Sequence, residues 1–181
     1  MRATTTPLIA IRPARPDDAA LFTELAASTF RETFEQANAP EDFAAYMAAA
    51  FGEPIQRAEL EDPATTVFFA ERAGDTLGYG MVRERAAPSV AGMEEALEIA
   101  RLYARKRALG SGVGAALMQR ALAEAAGRGK DAVWLGVWEH NQRAIGFYEA
   151  WGFHRCGTQP FLLGTDVQTD LIMVRRIARE S

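Results

Sequence analysis

The sequence predicts an α/β fold of the α+β kind, a mixed central β-sheet with helices on both faces. Three observations lead there. Hydrophobic residues make up 49% and charged residues 24% of the 181-residue chain, a balance that excludes a disordered polymer. The turn pair Gly74-Asp75 separates two strand-like runs, which requires an antiparallel hairpin. Farther along, two strand–helix–strand units follow one another, and such units impose parallel crossovers. No linker or repeat divides the chain, so one domain over residues 1–181 is expected. A chain of this size hides roughly 70% of its unfolded surface and needs no disulfide or metal staple.

Each element has a local reason. Leu8 to Arg12 reads as a first strand. Pro16-Asp17-Asp18 opens a helix, since proline fits a first turn and early acids suit the dipole. Phe22, Leu25, Thr29, Phe30 and Phe34 then recur at helical spacing. A second helix follows Asn38-Ala39-Pro40, with Phe43, Met47, Ala50 and Phe51 on one side; Ile55 to Leu60 continues it or adds a further turn. Thr65 to Glu71 is β-branched and aromatic, hence a strand, and Thr76 to Arg83 is its hairpin partner. After a Pro/Ser/Gly loop at Ala86–Gly92, Leu97 to Ala104 forms a strand. Strict alternation puts Leu97, Ile99, Arg101 and Tyr103 on one face and Glu98, Ala100 and Leu102 on the other. Val113, Leu117, Met118, Leu122 and Ala125 mark an amphipathic helix that stops near Gly127. Ala132 to Trp138 is apolar throughout, a strand buried on both faces. Ala144, Phe147, Tyr148 and Trp151 form one stripe of a helix ending at Gly152, and two strands close the chain near Phe153–Thr158 and Asp170–Arg175. The expected order is β-α-α-β-β-β-α-β-α-β-β.

Composition removes several function classes. Lys and Arg number 20 against 24 Asp and Glu, a net charge of −4, which argues against a nucleic-acid binder that relies on bulk positive charge. The lone cysteine, Cys156, excludes a disulfide framework, and with only His140 and His154 beside it no metal site is expected. Met1 to Pro13 has no apolar signal region, and no uncharged apolar run approaches the ~20 residues that span a bilayer. A cytoplasmic protein without a membrane partner is therefore expected.

Two motifs carry chemistry. Arg107-Ala-Leu-Gly110-Ser-Gly112-Val-Gly114 lies between a strand and a helix. Glycines there let the backbone approach a ligand, and the unpaired N–H groups of the following helix make a pyrophosphate site. A glycine turn that merely starts a helix is the plain alternative. A nucleotide P-loop is excluded because Gly114 is followed by Ala115-Ala116 instead of Lys-Ser/Thr. The dinucleotide fingerprint matches Gly110, Gly112 and Ala115, with Glu139 as its acid, but Arg105-Lys106-Arg107 interrupts the required strand-to-glycine junction. The second motif runs from Asn141 to Phe153 directly after the apolar strand. Asn141 is a candidate N-cap there, and Tyr148 lies on the core-facing stripe.

With these motifs in this order, the chain resembles the GNAT family of acyl-CoA N-acyltransferases. The R-x-x-G-x-G loop at Arg107–Gly112 is similar to that family's coenzyme A pyrophosphate motif, and N-x-x-A-x-x-F-Y-x-x-x-G-F at Asn141–Phe153 to its second cofactor motif. Ser28–Phe51, Leu97–Ala104, Val133–Phe153 and Leu162–Met173 further resemble bacterial spermidine/spermine N-acetyltransferases of the PaiA type. The resemblance implies a GNAT fold and acetyl-CoA as co-substrate. It implies that Leu102, Tyr103 and Ala104 pair with the pantetheine arm, although most relatives carry Val or Ile at the Ala104 position. It places Leu109, Gly110, Ser111, Gly112, Val113, Gly114 and Ala115 around the pyrophosphate with Arg107 at the rim, Asn141 and Ala144 beside the arm, and Tyr148 against the sulfur as proton donor to the thiolate.

Amine attack on a thioester needs no cysteine or serine nucleophile, so Cys156 and His140 receive plain structural readings. A primary amine of pKa ~10 is about 99.9% protonated at pH 7, and freeing it costs ~4 kcal/mol. A carboxylate can take that proton. Glu98, on the cofactor strand, is the first candidate base and Glu139 the second; a solvated or Arg101-paired Glu98 is the plain alternative. Strand N–H groups would polarise the thioester carbonyl. Glu32, Glu35, Glu41 and Asp42 on the first helices, with Glu94 and Glu95 before the cofactor strand, are candidate partners for a polyamine. A protein N-terminus, an amino acid or a xenobiotic amine would use the same cofactor motifs, and a non-catalytic acyl-CoA-binding regulator would keep them too. The segment Phe161–Asp170 with the closing strands is a candidate homodimer edge.

Overall fold

A computed structural model describes residues 8–92 and 95–177. The chain runs β1 (Ala10–Pro13), α1 (Ala19–Phe34), α2 (Pro40–Ala50), α3 (Glu53–Glu61), β2 (Thr65–Arg72), β3 (Asp75–Arg83), β4 (Ala96–Ala104), α4 (Val113–Gly127), β5 (Ala132–Trp138), α5 (Gln142–Ala150), β6 (His154–Leu163) and β7 (Asp166–Arg176). Seven strands form one sheet in the order β1-β2-β3-β4-β5-β7-β6. The β4–β5 pair is parallel and its neighbours are antiparallel, so the sheet is mixed as expected.

Helices cover both faces. Val113, Leu117, Met118 and Ala121 of α4 pack with Ile145 and Tyr148 of α5 against Val82, Leu97, Val133 and Leu135. On the opposite face Phe22, Leu25 and Ala26 of α1 meet Val67, Phe69, Tyr79 and Met81. Close approach has its own requirement at Gly78, where a Cβ would lie 2.5 Å from the Tyr103 carbonyl.

Three elements depart from the sequence reading. Ile55–Leu60 belongs to a separate α3, because Pro54 in its first turn cannot continue α2. The closing hairpin is longer at its turn: β6 continues to Leu163 and β7 begins at Asp166. Pro160 is accommodated within β6 because that strand is the sheet edge, where a missing N–H is tolerated. The third departure is in β4. Met81 pairs with Arg101 while Val82 pairs with Ile99, leaving Ala100 as a bulge. Past the bulge the alternation reverses. Leu102 and Ala104 join Leu97 and Ile99 on the α4 face, whereas Tyr103 packs with the α1-side cluster.

Candidate active site

The sheet splits beside that bulge. β4 and β5 pair only at Ala96–Ala132, Leu97–Val133 and Glu98–Trp134, then diverge. A cleft of about 820 Å³ fills the gap. From Ile99 onward the β5-facing edge of β4 makes no sheet bond, so an extended chain can pair with it. Of the residues expected around the cofactor, Leu102, Tyr103, Ala104, Leu109, Gly110, Gly112, Gly114, Ala115, Asn141, Ala144 and Tyr148 line this cleft.

Gly110 (φ +75°) and Gly112 (φ +90°) take the left-handed backbone at the start of α4. The N–H groups of Val113, Gly114 and Ala115 head that helix and have no acceptor within it. Gly114 faces α5, where a Cβ would touch the Phe147 ring at 3.4 Å, an ordinary contact. The loop is pinned from both sides: Arg72 donates to the Ser111 carbonyl (2.9 Å), and the Lys106 N–H donates to the Glu32 carboxylate (2.7 Å).

Three side chains of this loop point elsewhere, which leaves the backbone amide of Val113 at the helix head. Arg107 forks onto Asp75 at 2.6 and 2.9 Å, away from the cleft. The Ser111 hydroxyl donates to the Ala108 carbonyl, and the Val113 side chain is fully buried in the core. Of the basic residues flanking the loop Lys106 lines the cleft, and so does Arg143, which the sequence reading passed over. Helix dipole, free amides and these two cations suit a diphosphate.

Asn141 caps α5 by accepting the Ala144 N–H at 3.2 Å. One turn on, Tyr148 packs edge-on to Phe147 and Phe153 while lining the cleft, and burial pushes its hydroxyl up to about 12. It therefore stays protonated at neutral pH and can donate.

The α1-side face of the split holds the remaining polar groups. Glu98 is buried between Arg83 (3.2 Å) and Arg85 (3.5 Å). Its expected neighbour Arg101 instead pairs with Glu59 of α3 at 2.9 Å, because the bulge re-aims it. Of the acids assigned to the acceptor, Glu32 lines the cleft, but it holds the loop amide of Lys106. Glu35 pairs with Arg31 one helical turn away, Glu95 with Lys130, and Glu139 sits beside His140; none of the three lines the cleft. Glu94 lies outside the described residues. Asp42 latches the β6–β7 turn, accepting the Thr165 N–H (2.6 Å) and hydroxyl (2.8 Å), and these bonds hold its carboxyl below the usual range.

The sequence reading missed Asp170 of β7. It pairs with Trp138 across the sheet, lines the cleft and leans over Gly136, the one residue of β5 that is open to solvent. Burial raises its carboxyl to about 6. Its one sequence signal is phase: Asp170 alternates with Ile172 and Val174, both buried. Rings surround it: Phe34 lies edge-on to Trp138 (6.0 Å) and Tyr46 tilts against Phe161 (5.5 Å). Among the described residues no three His, Cys, Asp or Glu side chains converge as a metal set, and no helix is long and apolar enough to cross a membrane.

Comparison with known proteins agrees with this geometry. The acetyltransferase (GNAT) family matches residues 21–153. An uncharacterized N-acetyltransferase of Mycobacterium tuberculosis strain H37Rv is 36% identical over 160 residues, 88% of this chain and 98% of its own length. Another, from Lactobacillus delbrueckii subsp. lactis, is 34% identical over 86% of this chain and 90% of its own. The fold is similar to the PaiA N-acetyltransferase of Thermoplasma acidophilum in complex with coenzyme A, with TM-score 0.77 and 18% identity over 94% of this chain and 99% of that one. It is also similar to the acetyltransferase yncA of Salmonella typhimurium with acetyl-CoA, with TM-score 0.71 and 20% identity over 96% of each chain. The chain belongs to the GNAT family and is an acetyl-CoA-dependent N-acetyltransferase.

Proposed function

We propose that this enzyme acetylates a small primary amine by direct attack, without an acyl-enzyme. The observation that carries the reading is the split between β4 and β5, with a glycine-headed helix at one end and Tyr148 against its wall. Acetyl-CoA supplies the activated acyl carbon and a thiolate leaving group. The free amides at Gly112–Ala115, with Lys106 and Arg143, hold its pyrophosphate, and the open edge of β4 at Leu102–Ala104 takes the pantetheine arm as an added strand. Strand N–H groups polarise the thioester carbonyl, and Tyr148 Oη–H donates to the departing sulfur. Glu98 remains at the cleft wall with both oxygens facing arginines, which suits it to holding Arg83 and Arg85 in place.

The acceptor that the sequence resemblance implies is a polyamine, and a thiol-release assay with acetyl-CoA tests it. The panel holds spermidine, spermine, putrescine, amino acids, an aminoglycoside, short peptides and simple arylalkylamines. Saturable turnover with any primary amine supports direct transfer. Silence across the panel, with acetyl-CoA binding confirmed by calorimetry, would favour a non-catalytic acyl-CoA-binding regulator.

A further inference from the structure

We infer that Asp170 is the acceptor-binding and proton-accepting carboxylate, and that the acceptor carries a single ammonium on an apolar, ring-sized body. This rests on the acetyl-transfer reading above and names its substrate class.

Asp170 occupies an inward position of β7, between the diverged strands and the aromatic rings. Room for it comes from Gly136, where a Cβ would lie 3.1 Å from the Asp170 carboxylate and 2.6 Å from the Gln159 amide. Among the described residues the Asp170 carboxylate accepts no hydrogen bond and forms no ion pair. The other cleft carboxylates are taken, Glu98 by two arginines and Glu32 by a backbone amide. A partly buried carboxylate without a partner is unfavourable in the free protein and is satisfied when a cation arrives.

The surroundings set how many charges that cation has. The other charged and titratable groups along the cleft include Tyr46 of α2, Arg83 of β3, Arg85 just beyond it, Glu98 and Arg101 of β4, and the cofactor-side Lys106 and Arg143; Glu98 is shared by Arg83 and Arg85, and Arg101 is paired with Glu59. No histidine lines the cleft among the described residues. One unpartnered carboxylate therefore serves one ammonium, and a second or third would meet arginines. Phe34, Trp138, Tyr46 and Phe161 line the same cleft, an aromatic wall suited to an apolar body and to cation–π contact with its ammonium.

The proton inventory closes. An ammonium N–H bond breaks and an O–H bond forms at Asp170, whose burial-raised affinity favours taking the proton. The freed nitrogen pair forms the C–N bond as the C–S bond breaks, and sulfur takes the proton of Tyr148 Oη–H. A second nitrogen proton returns through water to the tyrosine, and Asp170 releases its own to solvent.

Calorimetry on the full chain, with phenethylamine and spermidine as probes, tests the inference. Phenethylamine should bind about tenfold more tightly at pH 8 than at pH 5, because the carboxylate ionises between them. D170N should bind it about tenfold or more weakly at pH 8 and lose the pH dependence. Spermidine should bind no more tightly than phenethylamine. Undiminished binding by D170N, tighter spermidine binding, or no phenethylamine binding to the wild type would each overturn the inference. Acetyl-CoA titrations on both proteins report the cofactor site separately, so loss there in the wild type sinks the acetyl-transfer reading and leaves the amine result standing. G136A, which displaces the Gln159 amide and crowds the Asp170 carboxylate, should weaken phenethylamine binding while keeping acetyl-CoA; a variant that loses acetyl-CoA and keeps phenethylamine would overturn the placement of Asp170.

Discussion

Replacing Asp170 by Asn should stabilise the folded protein at neutral pH. Burial raises this carboxyl from an ordinary 3.8 to about 6, so the folded state binds its proton more tightly than the unfolded chain does. Stability from the protonated form is complete below pH 3.8 and is lost as pH rises through 6. Each pH unit between these values corresponds to 1.36 kcal/mol, which sets a ceiling of about 3 kcal/mol above pH 7. Solvent reaching the open cleft reduces this to about 1–2 kcal/mol. Because no hydrogen bond is lost, D170N should recover that amount, and its melting temperature at pH 7.5 should exceed the wild type's by roughly 2–8 °C. Calorimetric melts from pH 4 to 8 would show the two proteins close together near pH 4, separating between pH 4 and 6, and a constant distance apart above that. A D170N protein that melts below the wild type at pH 7.5 would refute the reasoning, since Asp170 would then have a favourable partner in the fold.

Four further outcomes follow from the same geometry. Y148F should lower thiol release about tenfold or more at pH 7 while acetyl-CoA affinity, read by calorimetry, stays within about threefold. G112A forces a left-handed backbone on Ala at a cost of about 1–2 kcal/mol, so acetyl-CoA should bind roughly tenfold more weakly; its Cβ would meet only Ile9, at 3.6 Å, so no clash adds to this. E98Q should lower stability by about 1–3 kcal/mol through Arg83 and Arg85, yet leave the acidic limb of the pH–rate profile in place. D42A should abolish hydrogen-exchange protection of the Thr165 amide, with no direct effect on acetyl-CoA binding.

Local chemistry was readable in the sequence where one segment decides the matter. Asn141 caps its helix and Gly110 and Gly112 take positive φ, because a cap or a tight turn depends on residues within a few positions. Pro54 and Pro160 show the limit. One opens a helix and the other sits inside a strand, and only strand order reveals that β6 is an edge.

The sequence by itself determined the order of strands and helices apart from the separate α3, the glycine-headed α4, and the placement of Tyr148 on the core-facing stripe of its helix. It determined them because periodicity, caps and turns are properties of neighbouring residues. Tertiary structure alone decided the acceptor side. A single bulge at Ala100 reverses the alternation of β4, sending Arg101 to Glu59 and leaving Glu98 to Arg83 and Arg85. Register between β5 and β7 sets Asp170 over Gly136, about thirty-four positions apart in the chain. Whether a carboxylate is free or paired depends on side chains that arrive from other strands and helices, and a linear pattern does not contain that information.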